Sequence, residues 1–120
     1  MTETLTRRGA LILDAREVGK RPWEPFGEND NVRYRSFWLD TGTGSYAGLL
    51  RLAPGATVAS HTHHCAVHHV WVVEGECMMG GRSLGRGSYA FVPANADHGI
   101  ELAGLEGCTL FYLYLRADID

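Results

Sequence analysis

Short apolar runs of strand length, separated by turn-forming residues, follow one another along most of the chain. The clearest is Val67 to Val73, a β-branched and aromatic run that stops before Gly75. No segment keeps apolar residues at helical spacing over the ten or so positions that a helix needs. Strands of this length and spacing indicate an all-β sandwich or closed barrel. The predicted strands are 33–39, 45–52, 67–73, 76–79, 89–92, 98–102 and 108–115.

The N-terminal part of the chain has a different pattern. From Met1 to Asn31 the sequence is polar and is interrupted by Pro22, Pro25 and Gly27, which is typical of an arm lying across a barrel surface. We therefore predict an arm at residues 1–31, with one short helical turn at most, packed on a barrel formed by residues 32–120. No internal repeat or low-complexity tract divides the chain, so we expect one cooperative domain.

Composition supports a small all-β domain and excludes several classes of partner. The chain has 120 residues, enough for a core of its own, and 15 glycines, which indicate many tight turns. Its net charge of -3 is too small to predict binding to nucleic acid or to a membrane surface. No apolar run approaches the roughly 18 residues of a membrane helix, so a cytoplasmic location is expected. The odd number of cysteines and the absence of C-x-x-C spacing predict free thiols at Cys65, Cys77 and Cys108.

Five of the six histidines fall between residues 61 and 69. His61 and His63 are two residues apart, so in a strand their side chains point to one face, about 6.6 to 6.8 Å apart along the chain. Two imidazoles in that arrangement can converge on one ion. His68 and His69 are adjacent, so only one of them can face the barrel interior.

The sixth histidine, His98, follows the turn-forming Pro93-Ala94-Asn95, which can bring the chain back beside the other histidines. His64 and His69 are second choices, better explained as surface or hydrogen-bonded side chains. The predicted ligands of one divalent metal ion are His61, His63, His68 and His98.

Imidazole suits iron, zinc, copper and nickel, and no carboxylate lies at a matching position. The predicted ligands are therefore neutral, and a bound ion keeps its double positive charge. Such a site favours an anionic chelating substrate such as an enolate.

The first histidine segment resembles the first motif of the cupin superfamily. Gly55, His61-Thr62-His63, His68 and Gly75 match the spacing of that motif, with His68 at the position where the family commonly has Glu.

The second motif of the cupins is present in part. Gly87, Pro93 and His98 match it, whereas Asn95 and Leu102 replace a Gly and an Asn. The two motifs together imply a single cupin barrel, which is a double-stranded β-helix of the jelly-roll type, with a metal ion held by the motif histidines.

Within the cupins, the sequence resembles the branch of the 2,4'-dihydroxyacetophenone and acetylacetone dioxygenases. The similarity lies in Asn31 to Arg35, Tyr46 to Arg51, His61-Thr62-His63 and Val67-His68, and this branch also has His at the usual Glu position. It implies a non-haem Fe(II) dioxygenase that uses O2 to cleave a carbon–carbon bond of a small ketone or diketone, such as a hydroxyacetophenone. Zinc and nickel are the alternative metals.

No catalytic acid or base is assigned. The polar residues nearest to the motifs in sequence are expected on the solvated exterior of the barrel. They are Arg51, Arg82, Tyr46 and Glu101.

Cupins of this size commonly pair through their sheets, which implies a homodimer. Trp23 and Phe26 in the arm are expected to cover the contact between subunits.

A second resemblance points to a different function. Gly107 to Phe111, together with His61 to His64, is similar to the cupin half of zinc-binding anti-sigma factors. This similarity implies a non-catalytic metal- or ligand-binding module with a closed four-histidine site. Such proteins carry a separate helical domain that binds the sigma factor, and the predicted strands leave no room for one here.

Overall fold

A computed structural model describes residues 9–62 and 65–116 of the chain, with residues 61 and 62 as backbone only. One helix and nine strands make up this described part. They are α1 Ala15–Lys20, β1 Glu24–Phe26, β2 Asn29–Leu39, β3 Tyr46–Leu52, β4 Val58–Thr62, β5 Ala66–Met79, β6 Arg82–Gly85, β7 Tyr89–Val92, β8 Asp97–Ile100 and β9 Leu102–Arg116.

The strands form two sheets, and every pairing described is antiparallel. The larger sheet has the order β1-β2-β3-β9-β5-β6, with β7 also paired to β5, and the smaller sheet consists of β4 and β8. Side chains from both sheets meet in one core, where Leu52 and Leu110 of the larger sheet and Ile100 of the smaller sheet are at most 5% exposed. The predicted all-β class is therefore confirmed.

Strand alternation explains which residues enter the core. Along β5, Val70 and Val72 are buried while Trp71 and Val73 are exposed, because successive side chains of a strand point to opposite faces. Cys77 and Cys108 are buried free thiols, as predicted.

Two glycines that fall between predicted strands lie inside observed strands. Gly75 and Gly107 adopt positive φ angles of 77° and 81° within β5 and β9, where the pairing register shifts. A Cβ atom on Gly75 would collide with the carbonyl oxygen of Gly107. The predicted strands 67–73 and 76–79 are therefore one bent strand, because positive-φ glycines serve β-bulges as well as turns.

The N-terminal region packs on the larger sheet and adds a strand to its edge. Helix α1 begins after Asp14, which forms a capping box with Glu17. Strand β1 pairs with β2, so part of the predicted arm belongs to the sheet. No helix in the described part of the chain is long and apolar enough to cross a membrane.

The two arm residues expected at a subunit contact have other surroundings. The Trp23 ring lies against the Arg35 guanidinium, 4.4 Å from ring centroid to Cζ. The ring of Phe26 contacts Tyr34 edge to face, with centroids 6.5 Å apart, and lines the barrel interior. The side chain of Phe26 is therefore directed inward, and the expected homodimer stays a prediction.

Candidate metal centre

His68 lies on the inner face of β5 and is 7% exposed. It shares that face with Val70 and Val72, and alternation along the strand sends His69 outward. Its cross-strand partner on β9 is Tyr114, and the centroids of these two rings are 4.8 Å apart. Of the two adjacent histidines, His68 is therefore the one that faces the interior.

Strand β8 brings His98 next to His68, with ring centroids 4.8 Å apart and planes inclined by 53°. The turn before β8 contains Asn95 with a φ of 69°, a left-handed conformation that Asn tolerates better than most residues. This explains how Asn95 can replace the Gly of the cupin motif. His98 Nδ1 lies 3.3 Å from the carbonyl oxygen of Ala96, which favours the tautomer with its hydrogen on Nδ1 and its lone pair on Nε2.

The spacing of His68 and His98 fits two ligands of one metal ion. Metal–nitrogen bonds of about 2.0 to 2.1 Å place each ring centroid about 3.2 Å from the ion. Two such rings at angles between 90° and tetrahedral then have centroids about 4.5 to 5.2 Å apart. The observed separation of 4.8 Å lies within this range.

The remaining predicted ligands can be placed only in part. The backbone of His61 pairs directly with that of His98 in the β4–β8 ladder. His63 lies outside the described residues, as does His64, a second choice. Among the described side chains, no three His, Cys, Asp or Glu residues form a metal-binding group. The four-histidine ligand set therefore stays a prediction.

Two adjoining cavities lie inside the barrel beside these histidines. The inner chamber, of about 150 Å³, is bounded by His68, His98 and mainly apolar side chains of both sheets. The outer chamber, of about 240 Å³, is bounded by Tyr34, Ser36 and Leu39. No Asp, Glu, Lys or Arg of the described residues lines either chamber. A cavity of about 150 Å³ with apolar walls is large enough to hold a benzene ring. The residues that border both chambers are Phe26, Tyr46 and Tyr112.

Tyr46 was expected on the exterior, and that expectation was wrong. Tyr46 lies on the inner face of β3, with its ring centroid 5.4 Å from that of Tyr112 and 4.8 Å from that of Tyr114. The sequence signal was its spacing of two, four and six residues from Gly48, Leu50 and Leu52, which share one face of the strand. Arg51, Arg82 and Glu101 are exposed as expected.

Burial keeps the interior tyrosines protonated. Burial is the main cause that raises the pKa of Tyr46. It is also the main cause that raises the pKa of Tyr112. The side chains of Tyr46 and Tyr112 share a hydrogen bond. Both hydroxyls are therefore neutral hydrogen-bonding groups at ordinary pH.

His69 lies on the outer side of the same strand. Its Nδ1 atom is 2.7 Å from the hydroxyl oxygen of Tyr89, and its ring packs against Trp71 and Phe91. This agrees with the second-choice reading of His69 as a hydrogen-bonded surface residue. We call the row of rings that continues from here across the sheet the outer aromatic face, which comprises Phe37, Phe111, Trp71, Tyr89, His69 and Phe91.

The two-sheet barrel with histidines on β4, β5 and β8 is a cupin fold, and solved cupin structures match it. An RmlC-like cupin from Shewanella frigidimarina superposes with a TM-score of 0.70 at 23% identity, covering 82% of this chain and 86% of that one. The polyketide cyclase RemF from Streptomyces resistomycificus gives a TM-score of 0.68 at 18% identity, covering 91% and 88%. The complex of Rhodobacter sphaeroides SigE with the anti-sigma ChrR gives 0.66 at 20% identity, covering 82% of this chain and 51% of the matched one. At these identities the similarity shows the fold alone.

The model of the ChrR Cupin-like domain family matches residues 14–116. The chain therefore belongs to that family. The match runs from the N-cap residue of α1 to the last residue of β9. A comparison with curated proteins finds no significant match. The cupin resemblance is thus confirmed, and the dioxygenase branch stays a prediction.

Proposed function

We propose that this chain is a metal-dependent cupin enzyme, a non-haem Fe(II) dioxygenase that cleaves a carbon–carbon bond beside the carbonyl group of a small ketone or diketone. The observation that carries the proposal is the pair His68 and His98 at the wall of a mainly apolar chamber. His61 and His63 would complete the ligand set. Bound Fe(II) would supply Lewis acidity toward the carbonyl group and reactivity toward O2.

The side chains of this protein would bind and orient the substrate. The inner chamber has about the size of one six-membered ring, and its walls beside the histidines are mainly apolar. Tyr46 and Tyr112 border both chambers and are neutral, so they can hydrogen-bond to a carbonyl or hydroxyl group of the substrate. The contact of His98 Nδ1 with the carbonyl oxygen of Ala96 would leave Nε2 of that ring as the ligand atom.

The chamber walls also restrict the class of substrate. Within the part of the chain that the structure describes, neither chamber is lined by Asp, Glu, Lys or Arg. A substrate carboxylate placed there, away from the metal, would lose its hydration without gaining a partner. An enolate differs, since its charge lies on the oxygen that approaches the metal. For a 1,3-diketone, one O2 gives a carboxylic acid and a 1,2-dicarbonyl compound, with both oxygen atoms retained in the products and no external reductant.

Oxygen uptake tests the proposal directly. The protein is reconstituted anaerobically with Fe(II) and presented with a panel of hydroxyacetophenones and 1,3-diketones, and the expected result is uptake of one O2 per carbonyl compound cleaved. His98→Ala should abolish uptake, whereas the matched His69→Ala, on the opposite face of β5, should retain it. If no compound of the panel causes oxygen uptake, the proposed dioxygenase activity is refuted.

A second candidate function is supported by membership of the ChrR Cupin-like domain family, because one matched structure is a complex that contains the anti-sigma ChrR. In this alternative the chain is a non-catalytic module that holds zinc in a closed four-histidine site. Elemental analysis of protein purified without a chelating tag separates the two. About one iron per chain supports the dioxygenase, and zinc that resists chelators, combined with no oxygen uptake, supports the module.

A further inference from the structure

Two thiols lie side by side in the core, Cys77 on β5 and Cys108 on β9. They are 2% and 4% exposed, both are free, and their side chains share a hydrogen bond. His68 is near the beginning of β5, whereas Cys77 is near its end. The pair is therefore separate from the candidate metal centre, and neither candidate function gives it a role.

The β-bulge at Gly75 brings the two thiols together. Ala103 on β9 lies opposite Cys77. In a regular antiparallel ladder Cys108 would then lie opposite Val72. The shift in register places Cys108 opposite Gly75 instead, two residues from Cys77. Because Gly75 has no side chain, it leaves room between the strands for the thiol of Cys108 to reach that of Cys77.

We propose that Cys77 and Cys108 are a redox-sensitive pair, which a hydroperoxide oxidises to a disulfide that joins β5 to β9. Diagonal neighbours in a sheet are about 7 to 8 Å apart, somewhat more than the roughly 4.4 to 6.8 Å between the Cα atoms of a relaxed disulfide. The positive-φ glycines Gly75 and Gly107 are beside the pair and can absorb part of the shift. The remaining strain makes the bond easy to reduce, which suits a reversible modification.

A cleft gives small molecules access to this pair. Cys108 borders the cleft, which has a volume of about 150 Å³, and the cleft is also lined by the exposed residues Arg51, Glu74 and Glu106. A space of that volume holds several molecules of the size of water. Hydrogen peroxide can therefore approach the thiols, whereas a peptide disulfide is too large to enter.

The acidities of the two thiols set the order of the chemical steps. The shared hydrogen bond lowers the pKa of Cys77, and the same bond together with burial raises the pKa of Cys108. The thiolate of Cys77 attacks the peroxide, the O–O bond breaks, and hydroxide leaves a sulfenic acid on Cys77. The sulfur of Cys108 then attacks that of Cys77, and the S–O bond breaks with release of water that carries the proton of Cys108. Two thiols are oxidised, and the peroxide is reduced to two water molecules.

Mass spectrometry of the full chain after treatment with hydrogen peroxide tests the proposal. The intact mass should fall by about 2 Da and return to its first value with dithiothreitol. A digest made without reduction should contain the peptides of Cys77 and Cys108 joined to each other. Thiol titration in denaturant should fall from the three free cysteines of the chain to one. A chelator keeps any bound iron from reacting with the peroxide, so the result does not depend on the proposed function.

Cys65→Ser is the matched control, because Cys65 is a half-buried free thiol outside the pair. This variant should still lose about 2 Da, and Cys108→Ser should not. Circular dichroism checks that each variant is folded, and the digest of the wild type remains decisive if one is not. A wild-type digest without the joined peptide, whatever the state of Cys65, would overturn the proposal. The same loss of mass in folded Cys108→Ser would overturn it as well.

Discussion

His68 and His69 are neighbours in the chain and both lie among aromatic rings, yet they differ in burial and in their polar neighbours. His68 is 7% exposed, has a second histidine ring 4.8 Å away and borders a chamber. His69 has its Nδ1 atom hydrogen-bonded to a tyrosine hydroxyl on the outer surface of the barrel. The two regions are the inner site and the outer aromatic face.

The comparison shows that a histidine among aromatic rings has no fixed role. A metal site needs several lone pairs directed at one point inside a space that excludes competing water. The inner site brings two histidine rings to 4.8 Å from each other, because β8 and β5 belong to different sheets that meet at this point. The outer aromatic face lies on one sheet only, so its rings stand side by side on the exterior and do not converge on one point.

The largest effect should come from substituting the inner histidines. His98→Ala removes a predicted ligand, so its metal affinity should fall by more than the roughly 10- to 100-fold that is typical of losing a supporting residue. His69→Ala should change the affinity by less than about twofold, because its ring faces away from the chambers. Competition with a chromophoric chelator measures both, and equal losses would erase the distinction between the two regions.

Core stability should show the same contrast in the metal-free protein. Leu110 on the inner face is 2% exposed and Leu115 on the outer face is 37% exposed. Leu110→Ala should lower the free energy of unfolding by about 3 kcal/mol, since it removes buried contacts and leaves a cavity. Leu115→Ala should lower it by less than about 1 kcal/mol. Urea denaturation with a chelator present gives both values, and a larger loss for Leu115→Ala would contradict the assigned faces.

Alkaline pH should destabilise the inner site through its tyrosines. Burial raises the pKa of Tyr112 above its ordinary value of 10.0. The unfolded chain therefore loses this proton first, and the stabilisation is complete below pH 10.0 and declines as pH rises above it. Denaturation at several pH values should show this decline in the wild type and a smaller one in Tyr112→Phe. Trp71→Phe on the outer face removes no ionisable group, so the free energy of unfolding of this variant should decline with pH as much as that of the wild type.

The smallest effect should come from the hydrogen bond on the outer aromatic face. Tyr89→Phe removes the hydroxyl that lies 2.7 Å from His69 Nδ1. Because this contact is exposed to water, the free energy of unfolding should fall by about 0.5 to 1 kcal/mol, and metal affinity should stay unchanged. Thermal denaturation and the chelator titration check the two parts, and a lower metal affinity would connect regions that the structure separates.

Sequence patterns predicted strands well where alternation and turn residues agreed. The strand predicted at 89–92 has the same bounds as β7. Pro93 and Asn95 correctly indicated the turn before His98. Prediction failed at Gly75 and Gly107, because a positive-φ glycine can end a strand or bend it. Only the partner strand shows which of the two occurs.

By itself, the sequence determined that His68 and His69 point in opposite directions, since the two-residue period of a strand requires it. The sequence also showed that His61 and His68 are spaced as in the first cupin motif. The tertiary structure decided which of the adjacent histidines faces inward. Both faces of β5 carry apolar side chains, so alternation alone cannot identify the buried one. The packing of β4 and β8 over one face made that choice, and the same packing placed Tyr46 inside the barrel and left Trp71 outside.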